Sequence, residues 1–225
     1  MRVFKFGGAS VRDAEGVRNL VRVLDVTGTG ETFLVVSAMG KTTNAMEAVV
    51  DAYFTDPKKV SIALETVRSF HLKILQDLFP VESHEVYGRV RQLFEEVQGF
   101  LAWNKSPKYN FVYDQVVCYG ELISTAIISA YLKECGIGNT WLDIRDYIKT
   151  DSNYRDVSVN WESTQASIAT LAGNPELYIT QGFIGSDDHN FTTTLGREGS
   201  DYTAAIIAYC LNAQSVTIWK DVPGV

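Results

Sequence analysis

The sequence predicts an α/β protein built on a mainly parallel sheet with helices on both faces. Three observations predict it. Short runs of apolar and β-branched residues alternate with longer stretches whose apolar residues recur at helical spacing. The run Glu31–Ala38 (ETFLVVSA) is apolar without alternation, as a strand buried on both faces should be. The first strand-like run ends directly in Gly7-Gly8, a corner that turns a strand into a helix.

Arg2–Phe6 (RVFKF) reads as the first strand. Asp13 to Val26 is helical, with Val17, Leu20, Val21 and Leu24 on one face. Glu31–Ala38 is the second strand, and Thr42 to Tyr53 returns to helix. From Pro57 to about Cys135 strand signals give way to helical repeats over Val60–Leu78, Val86–Leu101 and Tyr113–Leu132, with breaks expected at Pro80, Gly99 and Pro107. Residues 57–135 therefore read as a long helical insertion. Asn139–Ile144 is a strand, Trp161 to Leu171 a helix, and Glu176–Ser186 a single strand. Asp187–Asn190 (DDHN) is a turn, and Phe191–Leu195 (FTTTL) its hairpin partner. Gly199 to Leu211 is a helix and Ser215–Trp219 a last strand. Internal repeats, low-complexity stretches and linkers are absent from the pattern.

With 225 residues, 46% of them hydrophobic, the chain can build one sizeable core. The net charge of -7, spread without a basic stripe, argues against nucleic acid. Apolar runs read as too short to cross a bilayer, and Met1 leads straight into RVFKF, so neither a membrane span nor a signal peptide is expected. Cys118, Cys135 and Cys210 are scattered, odd in number and form no CxxC pair, which suggests neither a disulfide framework nor a zinc site. A reduced, cytoplasmic protein is the expectation.

Several corners carry chemistry. In Lys5–Ser10 (KFGGAS) the lysine stands at the carboxyl end of a strand, where α/β folds bind ligands. The following glycines and helix start suit an anion. An ordinary strand–turn–helix corner with an exposed lysine explains the motif equally well. Val35–Asn44 (VVSAMGKTTN) is a second such corner. Its Gly-Lys-Thr is no phosphate loop of the nucleotide-hydrolase kind, because Val35 stands where that pattern requires glycine. Ser37, Thr42 and Thr43 remain as hydroxyls for a ligand or as helix caps. Gly136–Trp141 (GIGNTW) lacks the third glycine of a dinucleotide fingerprint and precedes a strand.

Tyr119–Thr125 (YGELIST) sets Glu121 in an apolar helical stretch, and a buried carboxylate is costly unless paired. A ligand ammonium, a buried arginine or exposure at a helix end would each relieve it. Thr192–Ala205 (TTTLGREGSDYTAA) offers more than a cap requires. Gly196 and Gly199 free the backbone, and Ser200 and Asp201 open a helix, where either could cap it. Arg197 can grip a carboxylate through two parallel hydrogen bonds. Trp219–Val225 (WKDVPGV) ends a strand in Lys220-Asp221 before a Pro-Gly turn, which reads as a plain turn or as a nucleotide contact.

Taken in order and spacing, KFGGASV, VSAMGKTTN, GELIST, ITQGFIG, TTTLGREGSDYTAA and IWKDVPGV resemble the aspartate kinases of the amino acid kinase family. Other members of that family act on N-acetylglutamate, glutamate, UMP or carbamate. The resemblance implies a three-layer αβα sandwich around a mainly parallel sheet (the amino acid kinase fold), with residues 1–225 as a catalytic domain incomplete at its carboxyl end. It implies ATP-dependent phosphorylation of the β-carboxylate of L-aspartate to 4-phospho-L-aspartate, the entry to lysine, threonine and methionine biosynthesis. Lys5 would stabilise the transferring phosphoryl group, and Asp201 would orient the lysine and substrate. Phe6, Gly7, Gly8, Ser37, Lys220 and Asp221 would lie at ATP and its phosphates. Thr43, Glu121, Arg197 and Ser200 would hold the substrate, Glu121 at its ammonium and Arg197 at its α-carboxylate. Mg²⁺ would come bridged to the ATP phosphates, and a homodimer is compatible.

The sequence also departs from that pattern. Glu198 stands where many relatives have glycine, and its charge is expected to point away from phosphate. Ala9 replaces a common threonine, and Lys220 stands where threonine is frequent. Relatives continue past the equivalent of Val225 into further nucleotide-binding segments and a regulatory domain, so the chain reads as part of a longer protein. Two other readings stay open: a relative acting on a different small acid, and a non-catalytic amino-acid-binding module.

Overall fold

The computed structural model describes residues 1–173 and 176–220. Five strands form one parallel sheet in the order β3-β4-β2-β1-β7. These are β1 (Arg2–Phe6), β2 (Thr32–Val36), β3 (Thr140–Leu142), β4 (Leu177–Gln181) and β7 (Ser215–Trp219). Phe6 aligns with Val36 and Trp219, and Val36 with Gln181, so four strands end level on one side. Every residue of β2 and β4 is buried, which accounts for their lack of alternation. A hairpin of β5 (Ile184–Ser186) and β6 (Thr192–Thr194) stands beside this sheet, turned at Asp187–Asn190 as expected.

Helix α1 (Ala14–Thr27) is capped by Asp13, whose side chain accepts from the Gly16 amide. Between β1 and α1 lies a short 3₁₀ turn, Gly8–Val11, so the α-helix starts later than the glycines suggest. Then come α2 (Thr42–Thr55), α3 (Val60–Leu78), α4 (Glu85–Trp103), α5 (Tyr109–Val117) and α6 (Tyr119–Glu134). After β3 follow α7 (Trp161–Ala169) and, after the hairpin, α8 (Gly199–Cys210). Helix α6 packs on β2, β3 and β4 and is backed by α4; α8 packs on β1, β2 and β7 and is backed by α7. The three-layer αβα arrangement is as the sequence predicts.

Four expectations need correction. Glu176–Ser186 is two strands, because the chain kinks at Gly182-Phe183, where Phe183 adopts a φ of 74°. Helix α4 runs on through Gly99, since Leu93, Val97 and Leu101 bury one face on both sides of it, and that packing outweighs one glycine. Neither Thr42 nor Thr43 caps α2: Lys41 stands at the cap without a side-chain bond, and the Thr42 hydroxyl donates back to the Met39 carbonyl at 2.6 Å. Lastly, α5 and α6 continue through the helical backbone of Cys118. Together Tyr109–Glu134 makes 26 residues, long and apolar enough to cross a bilayer, but 78% of its apolar window is buried in the fold. That apolarity serves the core. All three cysteines are free thiols.

Candidate active site

Above the level carboxyl ends of the sheet lies an open cavity of about 630 Å³. Lys5, Ser37, Thr43, Glu121, Arg197, Ser200, Asp201 and Lys220 all line it. Residues spread over more than two hundred positions of sequence are thus gathered at one end of the sheet.

Lys5 is held on β1 between Val35 and Ile218, with its side chain 10% exposed. Its Nζ lies 2.5 Å from Asp201 Oδ1, in the first turn of α8. The N-cap of α8 is Glu198, so neither Ser200 nor Asp201 serves as a cap. Both stand inside the helix start facing the cavity, where aligned peptide dipoles favour an anion.

Glu121 owes its place to its neighbour. A Cβ on Gly120 would stand 3.0 Å from Ala38 Cβ and 3.2 Å from Thr42 Cγ2, so glycine lets α6 lie this close to the Ser37–Thr42 corner without crowding. Glu121 Oε1 accepts from the Ala38 amide at 3.3 Å, while Oε2 is buried without a hydrogen-bond partner. The residue is 2% exposed, and burial pushes its carboxyl up to about 8. A buried carboxylate with one unpartnered oxygen, on a residue that lines the cavity, fits a cationic ligand group.

Arg197 is exposed on the cavity wall, in a turn begun by Gly196 at a φ of 75°. Glycine at 199 answers a different need: its Cβ would stand 2.6 Å from the Phe183 ring. The left-handed residue there is Glu198, at a φ of 56°, and it lines the cavity as well.

The glycine corner does not line the cavity. Phe6 is 2% exposed and stacks on Trp219 at 5.8 Å. The Gly7 amide donates to the Trp219 carbonyl at 3.4 Å. A Cβ on Gly8 would stand 2.5 Å from the Ala38 carbonyl oxygen, so this glycine lets the first two strand ends pack together. Asp221 lies outside the described residues.

Sequence reasoning missed Tyr113, Arg155, Phe183 and Thr194, which also line the cavity, and Asp114 behind them. Asp114 is fully buried and accepts from the Thr194 amide at 3.0 Å, the Thr194 hydroxyl at 2.7 Å and the Arg155 amide at 3.1 Å. Burial outweighs those bonds and raises its carboxyl to about 6. An acid inside the apolar run Phe111–Val117 is the same signal that marked Glu121.

A parallel sheet whose carboxyl edge gathers an ion-paired lysine, a buried acid with an unpartnered oxygen and an arginine around one open cavity defines an α/β protein with a charged ligand-sized site. The chain belongs to the amino acid kinase family, which it matches over residues 1–225. It is 33% identical to lysine-sensitive aspartokinase 3 of Escherichia coli (strain K12), over 99% of this chain and 49% of that protein. It is also 33% identical to the chloroplastic bifunctional aspartokinase/homoserine dehydrogenase 2 of Arabidopsis thaliana, over 99% of this chain and 25% of that one. Among solved structures, E. coli aspartokinase III in complex with aspartate and ADP (R-state) superposes with a TM-score of 0.89 at 30% identity, covering 100% of this chain and 50% of that one. The chain thus spans about half the length of the E. coli relative and a quarter of the plant one.

Proposed function

We propose that this chain is the aspartate- and phosphate-handling part of an aspartate kinase, transferring the γ-phosphoryl group of ATP to the β-carboxylate of L-aspartate. The observation that carries the reading is Glu121. Its unpartnered oxygen can take up a cation, and the cavity that Glu121 lines also holds an arginine and a lysine–aspartate pair. An N-acetylated acid has no ammonium to offer Glu121. The relatives support the choice, since the E. coli structure holds aspartate and ADP.

In this reading Glu121 takes the substrate ammonium, with Thr43 beside it, and Arg197 takes the α-carboxylate. That leaves the β-carboxylate directed toward Lys5 and the start of α8. A carboxylate is already ionised at pH 7, so no strong base is required. One β-carboxylate oxygen attacks the γ-phosphorus, the bond to the β,γ-bridging oxygen breaks, and ADP leaves with that electron pair. Lys5 lends positive charge to the transferring group, and Asp201 fixes the lysine's position. Ser37 and Lys220, which line the same cavity, would meet the phosphates. Mg²⁺ would be held through the nucleotide phosphates. When bound, it neutralises phosphate charge. Residues 1–225 act as part of one catalytic domain in this proposal, with 57–135 as its helical cover and a cytoplasmic setting.

Calorimetric titration with L-aspartate, L-glutamate and N-acetyl-L-glutamate tests the reading, followed by ATP-dependent acyl-phosphate formation trapped with hydroxylamine. Aspartate alone should bind, and Arg197→Ala should weaken it by at least tenfold. Equal binding of N-acetyl-L-glutamate would overturn the assignment of Glu121.

A further inference from the structure

The cavity contains a second guanidinium. Arg155 lines it together with Arg197 and is held there by three independent contacts. Its backbone sits at a φ of 69°, a conformation costly for a residue with a Cβ. Its amide donates to Asp114 Oδ2, the oxygen that also accepts the Thr194 amide, so one buried carboxylate fixes two walls of the cavity. The side chain lies over the Tyr113 ring, with its central carbon 4.0 Å from the ring centre, and Nη2 reaches Glu47 Oε1 at 3.3 Å. A guanidinium seated on a ring keeps in-plane N–H donors free at its rim, and only some of the five are used by Glu47.

Tyr113 relates this arginine to Glu121. Burial raises the tyrosine hydroxyl above its ordinary value, and the charges of Glu47, Arg155, Asp114 and Glu121 all act on it. Arg155, Tyr113 and Glu121 line the same cavity. In an α-amino acid the ammonium and the α-carboxylate hang from the same carbon. An ammonium on Glu121 therefore leaves the α-carboxylate within the cavity that Arg155 also lines.

We propose that Arg155 is a substrate-binding residue that shares the α-carboxylate with Arg197 and sets the preference for a free α-carboxylate. The inference rests on the site being an amino acid site. A planar donor set on an aromatic seat is preorganised, so little side-chain freedom is lost on binding.

The test is calorimetric titration of the whole chain, Arg155→Met and Arg155→Lys with L-aspartate and with its α-carboxamide. Methionine keeps the length of the stem and the same backbone demand. The unmodified chain should prefer aspartate. Arg155→Met should lose about tenfold or more of its aspartate affinity while binding the amide as before, so that the discrimination collapses. Arg155→Lys should recover part of it. Arg155→Met binding aspartate like the unmodified chain would overturn the proposal. So would a proportional loss for both ligands, which marks a structural role. Failure of the folded, unmodified chain to bind aspartate at all would instead overturn the amino acid site itself, and this inference with it.

Discussion

Glu121 is the side chain whose chemistry is easiest to read from outside. Its carboxyl is raised by burial from an ordinary 4.5 to about 8. Between those values the native chain holds a proton that the unfolded chain has released. The contribution of Glu121 to stability therefore falls as pH rises through that window. Glu121→Gln removes the ionisable group, so it should make the ligand-free chain more stable at pH 8, by roughly 1–3 kcal/mol, with little gain at pH 5. It should also abolish aspartate binding, whose affinity in the unmodified chain should rise from pH 6 to 8 as the carboxylate ionises. Melting curves of both proteins at the two pH values, compared as differences, cancel other titrating groups such as His71, which burial lowers to about 4. A variant no more stable than its parent at pH 8 would mean that the carboxylate is not destabilising where it sits. Residues of this kind were legible because a charge in an apolar run, or an arginine between glycines, needs a reason. Asp114 sent the same signal and was passed over. Arg155 sent none. It lies in the polar stretch Asn153–Ser158, and its role is made by Glu47, 108 residues away, and by Tyr113.

At the scale of elements, the site depends on how tightly the end of β4 meets the start of α8. A Cβ on Gly182 would stand 2.5 Å from Ser200 Oγ and 2.7 Å from Ser200 Cα, a backbone atom that cannot turn aside. The Phe183 amide then donates to the Thr203 hydroxyl at 2.9 Å, locking the kink onto the helix. Gly182→Ala should push the first turn of α8 outward and cost about 1–3 kcal/mol of stability. It should weaken aspartate binding further than that loss explains, because Arg197, Ser200 and Asp201 move with the turn. Thermal unfolding and aspartate titration of the one variant give both quantities. Unchanged binding in a destabilised variant would separate the helix start from the substrate. This junction also shows why Glu176–Ser186 read as one strand. Its residues have strand character throughout, and the kink comes from packing against Ser200, eighteen positions on, which no local pattern records. The same limit explains Gly99 in α4, where tertiary burial decided the outcome. Elements set by their own periodicity, such as β1, α3 and β7, were legible to the residue.

Over the whole molecule, the cavity ties together parts of the chain that are otherwise far apart. Lys5 comes from β1, Thr43 from α2, Tyr113 from α5, Glu121 from α6, Thr194 from β6 and Asp201 from α8. A ligand that touches all of these binds only the assembled fold, so binding and folding share one free energy. At a free aspartate concentration of one hundred times its Kd, linkage adds about 2.7 kcal/mol. For a chain of this size that corresponds to a rise in Tm of about 5–10 °C. The shift should grow with the logarithm of aspartate concentration, be absent in Glu121→Gln and be much smaller with L-glutamate. It should also be the same when followed by far-ultraviolet and near-ultraviolet circular dichroism. The former is dominated by helices α3 to α6; the latter, followed in the tryptophan band, is governed by Trp141 and Trp219 in the sheet, because Trp103 on α4 is 82% exposed. A coincident shift means that the helical region 57–135 and the sheet unfold as one body around the site. Should only the sheet signal move, the helical region would melt on its own, and Glu121, carried on α6, could not be the residue through which the ligand stabilises the fold.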